Sequence, residues 1–241
     1  MSQHDPTQPG EARPITAEGV GVACQVLGID PITLWAVLDV ETGGCGFLKD
    51  KRIVILYERH IFHRLTNGCW SDGYPALSAS RPGGYGLGGT NQYERLANAM
   101  ALDRSAALRS TSWGIAQIMG FNHLIIGYSS LDDMIMEFAD SENAQIHAMS
   151  MFIRFNRIDD ALRELDWQTF ARRYNGSGYA RNKYDVRLAT AYARRRRIGI
   201  PDLQVRADQM RLWWGGYYNG IIDGIRGKRT IAAEVAESGL A

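Results

Sequence analysis

One glutamate in this chain stands where acid catalysis is chemically favoured. Asp30-Pro31 begins a predicted helix, and Glu41 extends its apolar face before Gly43-Gly44 ends it. The apolar positions of that face are Leu34, Val37 and Leu38. Because burial and the negative end of the helix dipole both favour the neutral carboxyl, we expect a raised pKa for Glu41. Such a carboxylic acid can protonate a glycosidic oxygen.

Glu58 is the leading candidate for a second carboxylate. It follows Ile53–Tyr57, an apolar, β-branched run that predicts a short strand, and a hairpin there could bring it across a cleft from the first glutamate. It would then activate water or stabilise positive charge on a sugar. The alternative is a structural salt bridge with Arg59, Arg64 or another cation. Asp39 is less favoured, because it faces elsewhere on the helix.

Two later segments combine aromatic and amide side chains, a pairing that suits N-acetyl sugars. Thr111–Gly120 allows a tight turn into a helix, with Gln117 facing a groove. Arg173–Tyr179 ends a helix in an Asn-Gly turn. The alternatives are a helix start that packs into the core and an ordinary turn. The predicted substrate-binding residues are Ser112, Trp113, Gln117, Met119, Tyr174, Asn175 and Tyr179.

Four motifs in this order resemble the N-acetylmuramidase family of phage endolysins, within the lysozyme superfamily. They are Glu41–Phe47, Glu58–His60, Ser112–Gly120 and Tyr174–Tyr179. The resemblance implies a mainly α, lysozyme-like fold with a small β-hairpin. It also implies cleavage of the β-1,4 bond between N-acetylmuramic acid and N-acetylglucosamine, with Glu41 as the acid and Glu58 as the second carboxylate. No cofactor is expected. His60, His63, Cys45 and Cys69 are the residues that could bind zinc, but the sequence has no HExxH or CxxC motif, so we expect no metal.

A second resemblance concerns residues 203–236, which are similar to a short peptidoglycan-binding module of helices. It implies that Tyr217, Tyr218 and Asp223 contribute to wall binding. The predicted domains are therefore a flexible tail over 1–14, a catalytic domain over 15–198 and a helical module over 199–241. Packing of the module onto the catalytic domain stays an alternative, since about 40 residues make a marginal fold.

Composition narrows the partners and the cellular setting. The net charge of +1 argues against nucleic acid, and three cysteines without a CxxC pair disfavour a disulfide framework or structural zinc. The start of the chain has no Sec-type signal peptide, and no stretch is long enough for membrane insertion. We expect a monomer, made in the host cytoplasm and delivered to periplasmic peptidoglycan by a holin or a similar route.

Two other functions remain open from sequence. A lytic transglycosylase on the same fold needs one acid/base glutamate, and a non-catalytic wall-binding protein needs none. The remaining elements follow from caps and periodicity. They are a helix after Thr16, an irregular loop over 66–92, a helix over 93–108, mostly helix from Ser112 on, helices capped by Ser130 and Asp166, a helix over 181–197 with a solvated cationic end, and two short helices within 202–236.

Overall fold

The computed structural model describes residues 5–41 and 44–239, and within them the protein is mainly helical with one small sheet. This confirms the predicted fold class. The described helices are α1 (Ala17–Leu27), α2 (Pro31–Glu41), α3 (Arg59–Leu65), α4 (Asn91–Arg109), α5 (Leu131–Asp140), α6 (Glu142–Phe155), α7 (Asp159–Arg163), α8 (Trp167–Asn175), α9 (Tyr184–Ile198), α10 (Leu203–Trp214) and α11 (Lys228–Ser238). The strands are β1 (Ile55–Tyr57), β2 (Thr111–Trp113) and β3 (Ile118–Met119).

The chain divides into two compact units. Unit 1 comprises Met1–Ala12 and Gly46–Asp140, and it contains the sheet with α3, α4 and α5. Unit 2 comprises Arg13–Cys45 and Ser141–Ala241, and it contains the other helices. The two C-terminal helices thus fall in the same unit as α2, whereas the sequence predicted a separate module from residue 199.

Most residues of helix α2 are buried in unit 2. Asp30 caps it by accepting the Thr33 N–H at 2.7 Å, as predicted. The side chains of Leu34, Val37 and Leu38 are at most 1% exposed, and α2 packs against α9 while α1 packs against α6. The last helical residue is Glu41, so the apolar face delivers this carboxyl to the helix end. Gly43, one of the two predicted stop residues, lies outside the described residues.

The sheet of unit 1 corrects one prediction. β2 pairs antiparallel with β1 and with β3, so Ser112–Met119 forms a hairpin where the sequence predicted the start of a helix. The turn depends on backbone conformations with positive φ, 74° at Gly114 and 51° at Gln117. Glycine permits the positive φ at residue 114. Nothing in the local sequence indicates the positive φ at residue 117, because glutamine seldom adopts a left-handed conformation.

Gln92 orders the loop that the sequence predicted as irregular. Its Nε2 donates to the carbonyls of Tyr85 and Leu87 at 2.8 and 2.7 Å, and its Oε1 accepts the Tyr57 N–H at 3.1 Å. The side chain is 1% exposed. The loop after α3 is therefore tied to strand β1, and the segment that carries Tyr85 is held close to the end of that strand.

The caps predicted from sequence are confirmed at three helices. Thr16, Ser130 and Asp166 each accept a backbone N–H at the start of α1, α5 and α8. Residues 10–13, by contrast, are not the free tail that the sequence predicted. Ala12 is fully buried and its N–H donates to the Ala139 carbonyl at 3.1 Å, while Met1–His4 lie outside the described residues.

Among the described residues, no single helix is long and apolar enough to cross a membrane. Helices α1 and α2 reach that length and composition only together, and they are bent by 99°.

Candidate active site

The Glu41 carboxyl is partly buried at the end of α2 and forms a hydrogen bond with Asn175. The Nδ2 of Asn175, the last residue of α8, donates to its Oε1 at 3.0 Å. Burial raises the pKa of Glu41, and the Asn175 hydrogen bond and the charge of Arg187 oppose that shift without cancelling it. The result is a carboxyl that holds its proton to higher pH than an exposed glutamate, in a fixed orientation.

Tyr174, the residue before Asn175, supports the hydrogen bond to Glu41 through ring packing. Its ring stacks on Phe170 at 5.2 Å between centroids and meets Phe152 edge-on at 6.1 Å. Burial, and then the nearby charge of Glu41, raise the pKa of the Tyr174 hydroxyl. The ring that the sequence assigned to a sugar subsite is thus engaged in packing, and it fixes the end of α8 from which Asn175 reaches the acid.

Arg187 on α9 is a site residue that the sequence did not reveal. Its Nη2 donates to the Val40 carbonyl at 3.2 Å, and its guanidinium lies over the ring of Tyr184 at 5.0 Å. Its charge lowers the pKa of Glu41. No local spacing connects residue 187 with residue 41, so only the packing of α9 on α2 brings them together.

Asp39, the less favoured carboxylate, is committed to a structural pair. Arg195 contacts its two oxygens at 2.7 and 2.6 Å and is only 3% exposed. The prediction that Asp39 faces away from the acid agrees with this pairing. The prediction that Arg195 belongs to a solvated cationic end is wrong, because an ion pair to α2 and the Trp35 ring at 5.8 Å enclose its guanidinium.

Glu58 lies in unit 1, between β1 and α3, and its side chain is 15% exposed. Its Oε2 is 3.1 Å from Nδ1 of His60, and the Tyr85 hydroxyl donates a hydrogen bond to the carboxylate. Among the described residues neither named arginine pairs with Glu58, since Arg59 donates to the Pro75 carbonyl and Arg64 lies over the Phe121 ring. The other cation that the alternative allowed is the imidazole of His60, which forms an ion pair with Glu58 when it is protonated. Glu58 is therefore a carboxylate with only a histidine and a phenol as close partners among the described contacts.

Two comparisons with known proteins show what this chain is similar to. A sequence profile of the N-acetylmuramidase family matches residues 30–196. The chain belongs to the N-acetylmuramidase family. The muramidase is also similar to a solved structure of the Burkholderia AP3 phage endolysin, at 40% identity over 77% of this chain and 72% of that chain, with a TM-score of 0.72. No curated protein matches the chain.

The hairpin motif of this muramidase is largely structural. Trp113 is fully buried and donates its indole N–H to the Leu108 carbonyl at 3.2 Å. The prediction that it contacts substrate is therefore wrong, and its role is core packing. Gln117 accepts from the Ser112 hydroxyl at 2.9 Å and donates to the Val54 and Gly114 carbonyls, which occupies its amide within unit 1. Ser112 is 4% exposed, whereas Met119 is only partly buried.

The remaining predicted contacts differ in their exposure. Tyr179 is partly buried, and its hydroxyl is 3.4 Å from Nε2 of Gln168. In the C-terminal segment Tyr217 is 47% exposed, but Tyr218 is 5% exposed and donates to the Ile221 carbonyl at 2.7 Å. Asp223 accepts from the buried Gln209 amide at 3.0 Å. Tyr218 and Asp223 thus shape the segment itself, and Tyr217 is the member of the set that is open to solvent.

His60 and His63 of helix α3 are the histidines nearest to Glu58 in the sequence. In the part of the chain that the structure describes, no group of three His, Cys, Asp or Glu residues could hold a metal ion. His63 contacts the Ser71 hydroxyl at 2.7 Å, and Cys45 and Cys69 are free thiols.

Proposed function

We propose that this muramidase is an endolysin-type peptidoglycan hydrolase in which Glu41 is the general acid. The observation that carries the proposal is the hydrogen bond from Asn175 to a carboxyl whose pKa burial raises. Glycoside cleavage needs a protonated carboxyl to transfer a proton to the leaving oxygen. The Asn175 amide orients the carboxyl by donating to Oε1. The proton can then be held on the other carboxyl oxygen, Oε2, and point to the substrate.

Glu58 takes the second role in this proposal. It would accept a proton from the attacking water or stabilise the positive charge that develops on the sugar. His60 and Tyr85 support the assignment because neither clamps the carboxylate as a guanidinium would. Asn175, Tyr179 and Met119 remain the candidates for contacts with the glycan, and Tyr217 for contact with the wall. Gln117 has only the second lone pair of its Oε1 left for the glycan, because both of its amide hydrogens are used within unit 1.

The proposed substrate is the glycan strand of bacterial peptidoglycan, which the family and the similarity to a phage endolysin both support. We propose that the protein acts as a monomer, needs neither nucleic acid nor membrane insertion, and reaches the periplasmic wall through a holin or another delivery route.

Mass spectrometry of the soluble products from purified sacculi tests this function. A hydrolase releases fragments with reducing N-acetylmuramic acid ends. Fragments with 1,6-anhydro ends would show that the substrate's own 6-hydroxyl replaces water, which makes the protein a lytic transglycosylase. If sacculi bind the protein but release nothing, the protein is a wall-binding module without catalysis. A Glu41→Gln variant serves as the blank for each product.

A further inference from the structure

Arg206, on helix α10, holds the chain segment that follows the catalytic helix. Its Nη2 donates to the Gly44 carbonyl at 2.6 Å, three positions after Glu41, and its side chain is 1% exposed. Gly44 has a φ of 90°, a conformation that glycine adopts freely. The Ile222 carbonyl also approaches this position, 3.5 Å from where a Cβ on residue 44 would lie. The C-terminal segment thus bonds Gly44 through Arg206 and leaves little room for a side chain at that position.

The same guanidinium takes part in a fully buried ion pair. Its Nη1 and Nη2 donate to the Glu142 carboxylate at 2.5 and 2.8 Å, and Glu142 is 0% exposed. The Ile15 N–H donates to the same carboxylate at 3.0 Å. Burying two charges is costly unless geometry and additional hydrogen bonds compensate, and here bidentate contact and a backbone donor provide both. Arg206 therefore has one fixed orientation, from which its Nη2 reaches Gly44.

We propose that Arg206 is a positioning residue for Glu41 and that the C-terminal helices are a working part of the catalytic unit. The inference rests on the proposed role of Glu41 as acid. Gly44 follows Glu41 by three positions and glycine has wide conformational freedom, so a hydrogen bond from a fixed guanidinium to its carbonyl is an effective way to restrain the chain just beyond the helix end. Displacement of a catalytic group by about 1 Å can cost on the order of 100-fold in rate.

The rival explanation is that Arg206 only attaches α10 to α6. A double variant, Glu142→Gln with Arg206→Met, removes both the attachment and the bond to Gly44, and its comparison with Arg206→Lys separates the two explanations. It leaves no unpaired buried charge, and the glutamine oxygen can still accept the Ile15 N–H, so the fold should survive. Arg206→Lys is the second variant. It retains a charge opposite Glu142, but a compact ammonium cannot reproduce the planar fork that bonds both the carboxylate and the Gly44 carbonyl.

The readouts are kcat and KM on soluble peptidoglycan oligomers, the pH profile of kcat, and the melting temperature. We expect kcat to fall on the order of 10- to 100-fold in both variants, with KM within about twofold and with a displaced alkaline limit, because the surroundings of Glu41 change. Arg211→Met is the matched control, since Arg211 lies on the same helix, is paired with Asp208 and Glu237, and is half-exposed.

A wild-type kcat and an unmoved pH profile in either folded variant would overturn the proposal, as would a kcat loss no larger than that of Arg211→Met. The Glu41→Gln variant, measured in parallel, keeps the two proposals distinct. If that variant remains active, the acid assignment fails. If it is inactive while the Arg206 variants work normally, only the positioning role fails.

Discussion

The Asn175 amide donates to the Glu41 carboxyl at 3.0 Å although the two residues are 134 positions apart. The bond connects the end of α8 with the end of α2, and it joins two of the four sequence motifs within one compact unit. A neutral amide can orient an acid without the strong pKa depression that a paired cation would cause. This pairing is therefore suited to an acid that must be both fixed and protonated.

Replacing Glu41 with glutamine should greatly reduce catalysis and leave the fold unchanged. Glutamine has nearly the same shape, and its amide oxygen can still accept from Asn175, but it has no proton to transfer. We expect release of soluble fragments from sacculi to fall by about 100- to 10,000-fold, the usual contribution of a general acid. Near-normal release from a variant with a wild-type circular dichroism spectrum would show that another group is the acid.

The same substitution should change stability in a pH-dependent way. Because burial raises the pKa of Glu41 in the folded state, ionisation of this carboxyl weakens the fold relative to a neutral side chain. Below about pH 4, near the pKa of an unfolded glutamate, the carboxyl is protonated in both states and contributes no difference. The melting temperature of Glu41→Gln should therefore exceed that of wild type at pH 7, and the gap should close as pH falls. A gap that is constant with pH would contradict the raised pKa.

Glu58→Gln distinguishes two uses of the second carboxylate. If Glu58 assists the attack of water, the variant should lose activity by about 100-fold or more while reducing ends disappear from the products. If the reaction is intramolecular, most activity should remain and the ends should be 1,6-anhydro. His60→Gln is the control for the surroundings, because it removes the 3.1 Å contact and leaves the carboxylate in place.

The position of Glu41 could be predicted because it depends on local rules. A cap, a proline at the first helical position and apolar residues at helical spacing fix both the helix and the face that carries the carboxyl. The hairpin at Ser112–Met119 could not be predicted in this way. Its turn requires a left-handed glutamine, which is stabilised by contacts that Gln117 makes with Val54 on a distant part of the chain.

Partners distant in sequence account for the other gaps. Arg187 and Arg206 reach Val40 and Gly44 across 147 and 162 positions, and an arginine in a sequence does not show which carbonyl it will contact. The burial of Arg195 could not be predicted for the same reason. Its run of neighbouring arginines indicates a solvated helix end. What decides its burial is the position of Asp39 on a helix that packs against α9.

The C-terminal segment offers a test of wall binding in two neighbouring tyrosines. Tyr217→Ala should weaken co-sedimentation of the protein with sacculi if the segment binds the wall, because its half-exposed ring can stack on a sugar. Tyr218→Phe should leave binding unchanged and lower the melting temperature, since it removes the hydrogen bond to the Ile221 carbonyl, worth about 1 kcal/mol. Unaltered binding by Tyr217→Ala would leave the segment with a structural role alone.

Arg187→Gln should shift the pH dependence of catalysis in a direction set by charge. The wild-type arginine lowers the pKa of Glu41, so its removal lets that pKa rise. Activity depends on the protonated acid and declines as pH increases through this pKa, so the alkaline limit of kcat should move to higher pH.

Because Arg187 is exposed, added salt should move the wild-type limit in the same direction and affect the variant less. Arg194→Gln, an exposed arginine two turns further along α9, should change neither limit nor salt response. A shift to lower pH in Arg187→Gln would mean that Glu41 acts in its ionised form.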